Sequence, residues 1–196
     1  MEEAIRKPRP ITNAEFGMWV GLASFGMLFA TLFLSYGLAR LRAPVWPPIG
    51  VESLPKLLPT LATLILLASS WTLHKALEAY SKGLKKLFLS FWNWTVFLGF
   101  TFLAIQAFSW KQVNAFGEQF NSNLYGNIFY AMTGLHALHI LGGIIVLLVV
   151  SMKIKNMNFL SREHGKASKQ APRLGAMYWH FMDFIWVLMY LLLVWF

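Results

Sequence analysis

The sequence predicts an all-α integral membrane protein of five transmembrane helices, and three observations carry that reading. Apolar residues make up 57% of the 196 and charged residues only 13%, with a mean hydropathy of +0.53. Such a composition excludes a soluble globular domain. The charges leave uncharged runs at 16–39, 57–74, 87–110 and 119–152, followed by 174–196, which Asp183 alone interrupts. Positive charge, finally, is concentrated in alternate connecting segments.

A spanning helix needs about 20 mostly apolar residues to cross about 30 Å of hydrocarbon, so each run supports one helix. The expected helices are 14–41, 56–77, 87–110, 126–152 and 174–196 within a single domain over 1–196. Residues 1–10 are charged and broken by proline, and the run after them is too long for a signal core, so no cleaved signal is expected. Past the first helix, Pro44, Trp46, Pro47, Pro48, Gly50 and Pro55 make a stiff aromatic turn suited to the headgroup level. The run over 119–152 is too long for one helix. Its Asn- and Ser-rich start reads as a loop, which puts the helix start near Gly126. A basic loop over 153–173 then leads to the fifth helix.

The positive residues Arg6, Lys7, Arg9, Lys75, Lys82, Lys85, Lys86, Lys153, Lys155, Arg162, Lys166, Lys169 and Arg173 fall on one side, and only Arg40, Arg42, Lys56 and Lys111 on the other. The positive-inside rule places the N-terminus in the cytoplasm and the C-terminus in the periplasm. That bias accounts for the net charge of +9 without a nucleic-acid partner. Without cysteine there is no disulfide framework, thiolate metal site, iron–sulfur cluster or thiol catalysis. The longest polar stretch, about twenty residues, cannot build a catalytic domain outside the membrane. No internal repeat marks a transporter of duplicated halves.

Two polar clusters lie inside apolar helices, where each ionisable group is costly. In Thr133-Gly-Leu-His-Ala-Leu-His139, the three-residue spacing puts His136 and His139 on one helical face. They could ligate haem or metal, or they could hydrogen-bond to neighbouring helices, with Gly134, Gly142 and Gly143 allowing close backbone approach. A haem or copper centre needs further ligands from other helices. His74, at the end of a span, and His164, in a polar loop, are poor ones, so interhelical bonding is favoured. In the second cluster, His180 and Asp183 are again three apart, and they read either as a proton relay or as a lock between helices, of which the lock is favoured. Trp19, Trp71, Trp92, Trp94, Trp110, Trp179, Trp186 and Trp195 are expected mostly as an interfacial belt. Gln106, Thr60, Thr63, Ser69 and Ser70 are expected to supply interhelical hydrogen bonds.

The chain resembles subunit III of the haem–copper terminal oxidases, in its short five-helix bacterial form. The match runs through Gly17-Met-Trp-Val-Gly-Leu-Ala-Ser24 with Tyr36 and Arg40, the Trp46-Pro47-Pro48 turn, Leu58-Pro-Thr-Leu-Ala-Thr63 and Gly99-Phe-Thr-Phe-Leu-Ala-Ile-Gln106. Its most specific parts are the His136/His139 segment with Gly134, and Tyr178-Trp-His-Phe-Met-Asp-Phe-Ile-Trp186 with Trp179. Three positions depart from the family pattern: Phe25 stands where a Glu is common, Ala62 where an Asn is usual, and Ala137 where a Gly is usual. The resemblance implies the five C-terminal helices of seven-helix members.

It also implies a non-catalytic subunit of a proton-pumping oxidase that reduces dioxygen to water in aerobic respiration. No haem, copper or other cofactor is expected on this chain, since these belong to subunits I and II. The expected partners are subunit I by direct packing, subunit II and membrane phospholipids, with membership of a larger respiratory assembly left open. The expected site is a bacterial inner membrane, and the expected role is support of assembly, proton uptake and stability. Cytochrome c is the favoured electron donor. A quinol oxidase and an accessory role in nitric-oxide reduction are the alternatives, and a stand-alone enzyme or transporter using the His and Asp pairs is a further class. Within the family reading, His136, His139, His180 and Asp183 are expected to make interhelical polar contacts.

Overall fold

A computed structural model of the chain describes residues 12–46, 56–115, 124–156 and 166–194, with side chains from 170 onward in the last segment. Five helices are described: α1 Asn13–Arg42, α2 Leu57–Ser81, α3 Lys85–Asn114, α4 Leu124–Asn156 and α5 Lys166–Val194. Each is long and apolar enough to cross a membrane.

Helix ends follow local chemistry. Thr12 caps α1: its hydroxyl accepts from Glu15 N–H at 3.3 Å, and its own N–H donates to the Glu15 carboxylate at 3.1 Å. The Thr12 hydroxyl also donates to Gln170 Oε1 at 3.3 Å, tying the start of α1 to that of α5. α2 closes on Gly83, whose φ of 73° suits a residue without Cβ. There Gly83 N–H reaches Tyr80 O at 3.1 Å and Leu84 N–H reaches Ala79 O at 3.0 Å, which satisfies the last carbonyls and turns the chain directly into α3.

The helices extend past the expected bounds at several ends. α2 runs on to Ser81, α3 is longer at both ends and α4 reaches Asn156. Uncharged runs mark only the part of a helix that hydrocarbon covers, and charged turns continue it into the interface. The expected loop over 153–173 is corrected accordingly, because 153–156 belong to α4 and 166–173 to α5. Pro172 lies inside α5, where its missing N–H removes one hydrogen bond near the helix start without ending the helix.

α2, α3, α4 and α5 form a closed four-helix ring, each touching two neighbours, and α1 lies against α4 and α5 only. Most buried residues of α3 (Phe88, Trp92, Thr95, Gly99, Phe102, Gln106, Ser109, Val113) recur every three and four residues, with Val96 beside them, as do those of α4 from Phe129 through Thr133, His136, Ile140, Gly143, Leu147 and Val150 to Ile154, with Met132 and Ile144 beside them. A 3.5-residue seam of this kind is the signature of helices packed at shallow, left-handed crossing angles. Large apolar side chains such as Phe97, Leu138, Ile145 and Phe184 point outward, as hydrocarbon solvent permits.

Candidate functional site

Ser70, on the α2 face turned toward α5, sits between His180 and Asp183. Its hydroxyl donates to Asp183 Oδ2 and meets His180 Nδ1 at 2.9 Å. A hydroxyl carries one hydrogen, so with that hydrogen on the carboxylate, His180 Nδ1 is the donor to Ser70 Oγ. The three side chains thus form one chain of hydrogen bonds between α2 and α5. Asp183 Oδ1 is buried with no partner among the described residues.

The same interface carries a ladder of further bonds. Trp179 Nε1–H donates to Ser69 Oγ at 3.0 Å, Trp186 Nε1–H to Thr63 Oγ1 at 3.0 Å, and Thr60 and Tyr190 share a hydroxyl contact at 2.9 Å. α3 is joined to α4 by Trp92 Nε1–H on Leu147 O at 2.8 Å and Trp110 Nε1–H on Thr133 Oγ1 at 3.0 Å. Four indoles are therefore interhelical donors. Trp92, Trp179 and Trp186 are buried core residues, which corrects the expectation of a belt at those positions, whereas Trp19, Trp71 and Trp94 are exposed as a belt requires. No pattern of apolar spacing separates the two sets.

The first histidine pair behaves differently from the expectation. His136 is 0% exposed and neither ring nitrogen has a partner among the described residues, so the expected interhelical polar contact is not found there. Phe29, Phe102 and Trp186 lie around the imidazole at ring separations of 6.1, 5.9 and 5.2 Å, so its described neighbours on these sides are aromatic faces and edges. The His139 Nδ1 contact, to Leu135 O at 2.6 Å, is within its own helix rather than across helices. The bond across helices at this level is made by Tyr178, whose hydroxyl donates to His139 O at 2.9 Å. Phe25 sets its ring edge against the His139 imidazole at 4.5 Å, in the place where the resembling family commonly has a carboxylate.

Close backbone approach occurs at Gly143, where a Cβ would lie 2.9 Å from Tyr178 Cε1 and 3.2 Å from Trp179. It also occurs at Gly99, which sequence reasoning missed and where a Cβ would lie 2.7 Å from Trp179 Cη2. Gly134 was expected to serve the same purpose, yet among the described residues no atom of another helix lies within 4 Å of its Cβ position, so that reading is corrected. Trp46 donates to the Tyr36 hydroxyl at 3.3 Å and packs edge-on against Tyr125 at 4.9 Å, whereas Pro47, Pro48 and His164 lie outside the described residues. Among the described residues no group of three His, Cys, Asp or Glu side chains is placed to hold a metal ion.

Fold and contacts together define a multi-pass membrane bundle whose buried polar side chains largely join helix to helix. The family model of cytochrome c oxidase subunit III matches residues 10–196. Cytochrome c oxidase subunit 3 of Thermostichus vulcanus is 34% identical over 183 residues, covering 90% of this chain and 84% of the relative. The subunit 3 of a Synechocystis strain is 31% identical over 181 residues, at 90% and 73% coverage. A probable subunit 3 of Nocardia farcinica is 34% identical over 173 residues, at 87% and 82%. The chain belongs to the cytochrome c oxidase subunit III family.

Proposed function

We propose that this chain is the non-catalytic subunit III of a proton-pumping haem–copper terminal oxidase in a bacterial inner membrane, with cytochrome c as electron donor. The observation that carries the reading is family membership over 10–196, with relatives named as subunits of cytochrome c oxidase. The chain packs against subunit I, with subunit II and membrane phospholipids as further partners, and haem and copper reside in subunits I and II. The N-terminus lies in the cytoplasm, as the charge bias supports. Its role is to hold the complex together and sustain proton uptake. The Ser70–His180–Asp183 chain serves that role by locking α2 to α5, and the other polar side chains add to it.

A tagged chain, extracted in mild detergent and examined by optical spectroscopy and mass spectrometry of its partners, tests this. Haem bands together with an oxidase subunit I are expected, and the form of subunit II then identifies the electron donor. Haem bands without a partner chain would overturn the reading and return His136 and His139 to the list of candidate ligands. Phe25 in place of the family's common Glu keeps one second reading open, an accessory subunit of a nitric-oxide reductase, and a reductase core in the same preparation would establish it. Asp183→Ala is expected to reduce the amount of assembled complex more than the initial turnover of what assembles. Full yield with immediate loss of proton pumping would refute the locking role.

A further inference from the structure

Near the ends of α3 and α5 that Asn114 and Val194 mark, the four-helix ring leaves a partly enclosed cavity of about 20 Å³, room for one water molecule. Its walls include Gln106 and Ser109 of α3, Thr133 of α4, and Trp186 and Tyr190 of α5. Gln106 is 4% exposed and Ser109 5%, and neither side chain has a hydrogen-bond partner among the described residues. A buried primary amide carries two donors and an acceptor, and a hydroxyl one donor and two lone pairs. Inside a membrane bundle no lipid atom can satisfy them.

The opposite walls offer what a bridging molecule needs. Thr133 Oγ1 donates to Phe129 O at 2.8 Å and accepts from Trp110, which leaves it a lone pair. The Tyr190 hydroxyl shares one hydrogen bond with Thr60 and retains acceptor capacity. The occupant must therefore be small, both donor and acceptor, and uncharged. Among the described residues no carboxylate lines the cavity, so a cation there would lack compensation from them, and the volume is too small for any segment of lipid.

We propose that this cavity is a water site, in which one molecule bonds Gln106 and Ser109 and reaches Thr133 or Tyr190. It fastens α3 to α4 and α5 with the hydrogen bonds that side chains make directly between α2 and α5. Gln106 and Ser109 lie on the packing seam of α3, where apolar residues would pack dry, and the water gives two polar residues their partners there.

The full chain, purified with whatever chains accompany it, should be imaged by electron cryomicroscopy at a resolution that shows ordered water. A peak within hydrogen-bond distance of both the Gln106 amide and the Ser109 hydroxyl is expected. Gln106→Leu should abolish it with the helix positions unchanged. Ser109→Ala, a milder change should the first variant not accumulate, should weaken it. An empty cavity, or a Gln106 amide bonded directly to protein, would overturn the proposal, as would a peak with the short, multiple oxygen contacts of a bound cation.

Discussion

Neither ring nitrogen of His136 has a partner among the described residues, yet the imidazole is fully buried, with Phe29, Phe102 and Trp186 against it. A buried polar group left unpaired destabilises by about 1–3 kcal/mol, and an apolar side chain of similar volume avoids that. His136→Met is therefore expected to leave the thermal midpoint of the purified complex unchanged or raised. A fall corresponding to more than about 2 kcal/mol would show that a ring nitrogen finds a partner beyond this chain. Ser70 presents the opposite case, because its single hydroxyl serves both His180 and Asp183. Ser70→Ala leaves both without it, at about 1–3 kcal/mol for each group, and the thermal midpoint should drop accordingly. Both clusters were visible in the sequence as ionisable residues three apart inside apolar helices. What the spacing could not convey was the neighbour each side chain meets, since an aromatic cage and a serine hydroxyl on another helix are both remote in sequence.

Helix existence was legible here because hydrocarbon demands long uncharged runs, and helix faces were not. In a soluble bundle the apolar stripe marks the core, but in this chain the seams of α3 and α4 include Thr95, Gly99, Gln106, Ser109, Thr133, His136 and Gly143 while Phe97, Leu138 and Ile145 face outward. Lipid is as apolar as leucine, so small and polar residues gather where helices touch and the usual contrast between faces is lost. The glycines make the same point at the level of backbone approach. Gly99→Ala and Gly143→Ala each push a Cβ against the rings of Trp179 or Tyr178, and overpacking of this kind costs about 1–3 kcal/mol. Gly134→Ala meets open space and adds helix propensity, worth about 0.5–1 kcal/mol. Thermal unfolding of the three variants should lower the midpoint for the first two and hold or raise it for the third. A loss at Gly134 comparable with the others would mean that a partner chain seats closely against that face.

Across the whole molecule, the ring of α2 to α5 has charge at its ends and little between them, and the two ends differ. Lys75, Lys82, Lys85, Lys86, Lys153, Lys155 and Arg173 gather at one end, where Lys85 Nζ also donates to Lys155 O at 2.9 Å and Glu78 pairs with Lys75 and Lys82 at 3.0 and 2.7 Å. The opposite end has Lys56 and Lys111, with Arg40 and Arg42 of α1 on the same side. Insertion follows such asymmetry, and on the topology proposed above the first end lies in the cytoplasm. The absence of cysteine makes the orientation directly measurable, because a single introduced thiol is then the only one in the chain. Lys111 and Lys155 are both exposed and lie at opposite ends, and replacing either alters a distribution of thirteen against four by one charge, too little to reverse it. With a membrane-impermeant maleimide on spheroplasts, Lys111→Cys should label at once and Lys155→Cys only after the membrane is permeabilised. The reverse pattern would place the basic end outside, and with it the α2–α3 turn at Gly83. The proposed topology, and any docking on subunit I that assumes it, would then have to be inverted.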